Sequence, residues 1–223
     1  MIIWGAIEGD AGYCRWSGPI RKFGYFLLKS LNRIFGKQQM TTSLNMERLQ
    51  IGFFDQGLDY YVAGRFGILK MRSTVVAGNL FHHAIEMFLK GILVKSYSLQ
   101  ELEYLRHSLP KLWNRIKEDF ASINLKEFDT TIQKLHRFEK IRYPDRVVSE
   151  GANFTIGVRS GDDKTKIWPK PKPETIYQLA LEDLDKLVKI LFEISNNNLK
   201  FYLGMMGEDA KAMLTEQNFH SII

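Results

Sequence analysis

Side chains able to do chemistry concentrate in a few short stretches of this 223-residue chain. In the first, Asn79, His82, His83, Glu86 and Lys90 fall within one arc of a helix at about 100° per residue. The residues around them (Val75, Val76, Leu80, Phe81, Ala84, Ile85, Met87, Phe88, Leu89, Ile92 and Leu93) are apolar, so a narrow polar stripe runs down an otherwise buried helix. His83 and Glu86 stand at i, i+3 and His82 and Glu86 at i, i+4, spacings at which side chains touch. Two imidazole nitrogens and a carboxylate are a ligand set that a metal can use. A di-metal bundle site needs Glu-x-x-His pairs on facing helices. The sequence contains no such pair, so no metal or cofactor is assigned. The stripe reads as a polar pocket or dimer seam, or as a solvent-facing line of satisfied hydrogen bonds.

The second stretch holds Arg137, Arg142, Tyr143 and Asp145. A guanidinium grips phosphate in bidentate fashion, and a tyrosine face stacks on any base. Arg142 just before Pro144 is equally consistent with a cation at a helix C-terminus. His107 is either a turn-stabilising hydrogen bonder or a catalyst. Arg146, Arg159, Lys164, Lys166, Lys170 and Lys172, interleaved with Phe154 and Trp168, form either a grip for an RNA backbone or a solvated loop. Cys14 stands alone, which excludes an internal disulfide and a cysteine metal cluster. Walker A, Gly-x-Gly-x-x-Gly and Gly-x-Ser-x-Gly patterns are absent from the sequence.

The elements that must position these residues are helical. Ile51, Phe54, Leu58, Tyr61, Phe66 and Leu69 predict a helix over 46–70, weakened by Gly52, Gly57, Gly64 and Gly67, which are expected to admit a close neighbouring helix. The apolar segment 74–95 predicts a central helix. A short helix over 99–106 follows, then one capped by Ser108 with Pro110 in its first turn, and one over 125–142 stopped by Pro144. Residues 145–173 change character: Phe154, Ile156 and Val158 alternate as in a short strand, and Pro169, Pro171 and Pro173 forbid helix. The last long helix is expected over 174–196 from Ile176, Leu179, Leu184, Leu187, Leu191 and Ile194. The chain after Asn197 is less regular.

The formal net charge of +6 is local. Residues 1–45 carry six basic and two acidic groups, residues 137–172 nine and five, and residues 173–223 four and eight. Residues 20–34 suggest a basic amphipathic helix inside an N-terminal extension, 1–45, that is otherwise loosely ordered. The expected organisation is that extension, a helical domain over 46–196 with a basic insertion at 146–173, and a C-terminal tail over 197–223. No apolar run reaches the roughly 18 residues that a transmembrane helix needs, and a cytoplasmic location is expected.

Three segments carry a resemblance. Ala77-Gly78-Asn79-Leu80-Phe81-His82-His83-Ala84-Ile85-Glu86-Met87-Phe88-Leu89-Lys90-Gly91 resembles the second core helix of HEPN (higher eukaryotes and prokaryotes nucleotide-binding) domains. Arg106-His107-Ser108-Leu109-Pro110-Lys111-Leu112-Trp113 is similar to that family's His-x-Leu turn before its third helix. Phe138-Glu139-Lys140-Ile141-Arg142-Tyr143-Pro144-Asp145 resembles its Arg-Tyr-Pro-Asp segment before the final helix. The resemblance implies an all-α, up-and-down helical bundle with a short β/loop insertion before the last long helix. It implies a homodimer that binds RNA or a nucleotide, in a toxin–antitoxin or defence system, with a nucleotidyltransferase partner. Metal-independent HEPN ribonucleases pair an Arg with a His across four to six intervening residues, and none of the five histidines here completes that pattern. The expected protein is therefore a binder without the usual ribonuclease pair, with ligand contacts from Asn79, His83, Glu86, Lys90, Arg137, Arg142, Tyr143 and Asp145. The alternatives are a degenerate ribonuclease using Arg142 with His83 or His107, and a non-catalytic interaction module.

Overall fold

The apolar periodicity of 46–70 and 74–95 is realised as a long helical hairpin. The computed structural model describes residues 43–140, 153–157 and 176–218. All of these belong to one compact unit of the chain, 42–223. Helix α1 spans Ser43–Leu69 and α2 spans Thr74–Leu93, joined by a turn in which Arg72 takes a left-handed backbone (φ 54°). Their backbones approach closely where glycines allow it. A Cβ on Gly57 would lie 2.6 Å from the Phe88 ring, and one on Gly64 would lie 2.7 Å from the Phe81 ring. Gly52, also in α1, faces open space.

Among the described residues, the remaining helices are α3 (Leu99–Tyr104), α4 (Leu109–Asp119), α5 (Asp129–Lys140), α6 (Leu181–Ser195), α7 (Leu199–Met205) and α8 (Glu208–Thr215), with a 3-10 turn at Lys126–Phe128. Mostly helical structure is therefore found as expected, and α2 is central. It packs against α1, α4, α5 and α6, and twelve of its twenty residues are buried. An aromatic cluster of Phe54, Phe88, Phe192 and Tyr202 ties α1, α2, α6 and α7 together, with Phe54 and Phe192 edge to face at 4.9 Å between ring centroids. Trp113 Nε1 and Lys117 Nζ both donate to Asp129 Oδ1, at 2.7 and 2.9 Å, which fixes α4 on the start of α5. Among the described residues, no helix is long and apolar enough to cross a membrane.

Two local features differ from the sequence expectation. The final long helix begins at Leu181 and not near residue 174, because Ile176–Ala180 is a strand. It pairs in parallel with Asn153–Gly157, Ile156 opposite Leu179, and both side chains are buried. The apolar residues at 176 and 179 suit a helix stripe and a strand alike. The pairing with β1 (Asn153–Gly157) settles β2 (Ile176–Ala180) as extended, and Glu182 and Asp183 then occupy the favourable first turn of α6. Residues after Asn197 form the two short helices α7 and α8, which bury Leu199, Tyr202 and Leu214.

The C-terminal segment is held by a buried polar clamp. Arg65, fully buried on α1, donates through Nε to the Met213 carbonyl (2.6 Å) and through its other nitrogens to the Glu216 carbonyl and to Asp185 Oδ1. The Tyr61 hydroxyl also donates to Asp185 Oδ1. Burial and the adjoining Asp185 charge hold the Tyr61 hydroxyl well above its usual range, so it remains a donor.

Candidate functional site

Helix α2 exposes its polar arc to the turn between α3 and α4 and to one face of α5, and these three elements meet around Glu86. The Ser98 capping box starts α3: Ser98 Oγ accepts from the Glu101 amide, and the Glu101 carboxylate accepts from the Ser98 amide at 2.7 Å. The chain then turns sharply at Arg106, whose backbone is left-handed (φ 51°). That turn aims two parts of His107 back at α2. Its carbonyl accepts from His82 Nε2 at 3.1 Å, and its ring Nδ1 lies 3.0 Å from each oxygen of Glu86. A carboxylate only accepts, so His107 Nδ1 carries the proton of this contact. The ring itself is largely exposed, at 59%.

Glu86 is the centre of the site. Its side chain is 1% exposed, and it receives Lys90 Nζ at 2.6 Å on Oε1 and His107 on both oxygens, with His83 Nδ1 3.5 Å from Oε2. Burial alone would raise this carboxyl. The hydrogen bonds from His83, Lys90 and His107, together with the Lys90 charge, outweigh burial and hold it down to about 2. The anion is thus a fixed feature of the site at any pH near neutrality. His82 is its opposite: burial pushes its ring down to about 4, against the raising effect of the Glu86 charge, so the ring is neutral. His82 stacks on His136 of α5 (5.8 Å between centroids), with Glu139 Oε2 3.9 Å from His82 Nε2 and 3.6 Å from His136 Nδ1.

The expected stripe is therefore resolved into parts. His83, Glu86 and Lys90 come together, and His107 joins them from 21 residues away from Glu86. Glu86 and His82 are buried, so this part of the stripe does not face solvent. Asn79 is not a member: its Nδ2 donates to the Val75 carbonyl of its own helix at 3.0 Å. Arg137 is exposed on α5. Arg142, Tyr143 and Asp145, and most of the basic 146–173 segment, lie outside the described residues. Sequence reasoning missed the second group, His136 and Glu139, although their i, i+3 spacing on α5 was the available signal.

Among the described residues, two sets of donor atoms lie within 4.8 Å of one another: His82, His136 and Glu139, and His83, Glu86 and His107. In the first, His82 Nε2 is already committed to the His107 carbonyl. In the second, both imidazoles turn Nδ1 toward the buried Glu86 carboxylate.

Comparison with family models, with curated proteins and with solved structures finds no match for this chain.

Proposed function

We propose that this protein is a HEPN-like helical module that binds RNA or a nucleotide at the face formed by His83, Lys90 and His107 around Glu86, without the usual ribonuclease pair. The observation that supports this reading best is the meeting of the resembling segments. The 77–91 helix contributes Glu86 and Lys90, the 106–113 turn docks His107 on that carboxylate, and α5, which leads into the 138–145 segment, lays His136 against His82. Lys90 and the imidazoles are donors for phosphate oxygens, and the half-buried Tyr60, 5.6 Å from the His83 ring, offers an aromatic edge beside them. A homodimer, a toxin–antitoxin or defence setting, a nucleotidyltransferase partner and contacts from Arg142, Tyr143 and Asp145 belong to the same proposal.

The test is anisotropy of labelled single-stranded RNA titrated with the full chain. Binding that weakens steeply with salt, and that weakens further in Lys90→Gln, is expected. Absence of binding at low salt refutes the reading in favour of an interaction module. Light scattering of the same sample reads the dimer.

The Glu86–His107 pair favours one second reading. A buried carboxylate that accepts from Nδ1 of an exposed imidazole orients that ring and fixes its tautomer, which is the arrangement of a general base. RNA cleavage in the presence of chelator, lost in His107→Gln, would establish a metal-independent ribonuclease. Intact RNA under those conditions dismisses it.

A further inference from the structure

We propose that His83, Glu86 and His107 form a binding site for one divalent transition-metal ion, zinc being the ion that best suits the donor set, with a fourth position open to solvent. This goes beyond nucleic-acid binding and does not depend on it.

The argument is geometric. Tetrahedral zinc binds imidazole nitrogen and carboxylate oxygen at roughly 2.0–2.2 Å, which separates its donor atoms by about 3.4 Å. Glu86 Oε2 lies 3.5 Å from His83 Nδ1 and 3.0 Å from His107 Nδ1. All three donor atoms fall within 4.8 Å of one another, so a metal at their centre requires only small side-chain adjustments. The donors come from two elements held rigidly together. His83 and Glu86 share one turn of the central helix, and the His107 turn is pinned to the same helix by the His82 contact to its carbonyl. That contact fixes a metal ligand from behind, as outer hydrogen bonds commonly do.

Charge and access agree with this assignment. On binding, the proton that His107 Nδ1 donates to Glu86 moves through solvent to Nε2 of the same ring, which leaves Nδ1 a lone pair to ligate with. Two neutral imidazoles and one carboxylate are borderline ligands, which suit zinc better than magnesium or calcium, ions that prefer all-oxygen shells. His107 is 59% exposed and His83 28%, so water reaches the fourth position. Three protein ligands with one open position is the pattern of catalytic rather than structural zinc. Lys90 is the opposing group. Its ammonium sits 2.6 Å from Glu86 Oε1, the oxygen turned away from His83, and its positive charge works against a dication. The neighbouring His82, His136 and Glu139 group is a weaker candidate, because ligation by His82 Nε2 would break its bond to the His107 carbonyl inside a fully buried ring, whereas the exposed His107 ring can change tautomer against solvent.

The experiment is equilibrium dialysis of chelator-stripped full-length protein against Zn2+, with Co2+ as a spectroscopic probe. One ion per chain is expected, and Co2+ should give the intense visible bands of a four-coordinate site. His107→Asn should weaken uptake by more than the roughly 10–100-fold that follows loss of an outer-shell partner, and His83→Asn should do the same. His136→Asn should bind as the parent does, and Lys90→Gln should bind more tightly. His107 is exposed, so its variant should keep the parent far-UV circular dichroism. No zinc uptake by the parent, undiminished uptake in His107→Asn, or uptake abolished by His136→Asn in folded protein would each overturn the site.

Discussion

Replacing Glu86 by glutamine tests the electrostatic centre of the molecule. The side chain keeps its size but loses its charge. Lys90, 13% exposed, then has no counter-ion at 2.6 Å, and the amide nitrogen must face one of the donors that now converge on the carboxylate. The magnitude follows from the displacement of the Glu86 carboxyl from its ordinary 4.5 to about 2. At about 1.4 kcal/mol per tenfold change in proton affinity, that displacement is worth about 3 kcal/mol of stability near neutral pH. The sign is definite. The unfolded chain binds the proton more tightly, so this contribution is complete above 4.5 and is lost as pH falls toward about 2. Urea unfolding of metal-free parent and Glu86→Gln should therefore differ by about 2–3 kcal/mol near neutral pH, a drop in Tm of roughly 6–10 °C for a chain of this size. The gap should close progressively through that acid window. A gap that stays constant across the window, or one below about 0.5 kcal/mol at neutral pH, would show that the Glu86 contacts do not carry the stabilisation assigned to them.

Arg65→Met removes the counter-ion of the buried Asp185, leaving the Tyr61 hydroxyl as a neutral donor to it, and frees the carbonyls of Met213 and Glu216. A loss of about 3–5 kcal/mol is expected, together with faster amide exchange in α8, and unchanged exchange there would refute the clamp. Gly64→Ala should cost about 1–3 kcal/mol because its Cβ meets the Phe81 ring, whereas Gly52→Ala, in the same helix but facing open space, should stabilise by up to ~1 kcal/mol; equal effects in thermal melts would contradict the close α1–α2 packing. Burial, with the Asp55 charge, raises the Tyr202 hydroxyl to about 12. The folded state holds that proton more tightly, so stability should fall as pH rises from 10 through 12, and Tyr202→Phe should show a shallower alkaline limb in denaturation curves, the Tyr61 contribution remaining.

Much of the helical framework was legible because its signals are local. The periodicity of α1, α2, α4 and α5 and the proline and serine punctuation around them depend on neighbours three or four residues away, and the observed ends fall close to the expected ones. The i, i+3 and i, i+4 relation of His83, Glu86 and Lys90 was readable for the same reason. The strand at Ile176–Ala180 was not, since its apolar residues satisfy either period and its partner lies at 153–157. The Arg65–Asp185 pair, 120 residues apart, had no sequence signal at all.

By itself, then, the sequence determined an α-helical protein and a polar stripe on its most apolar helix, since both follow from periodicity along one segment. Tertiary structure alone decided how the stripe is divided and what joins it. Only folding brings the His107 ring and carbonyl back onto Glu86 and His82, sets His136 and Glu139 behind them, and directs Asn79 to its own helix. The physical reason is that burial and charge act through space. Hydrogen bonds from His83, Lys90 and His107 keep Glu86 an anion down to about 2 although burial opposes it, and burial among other elements keeps the His82 ring neutral down to about 4.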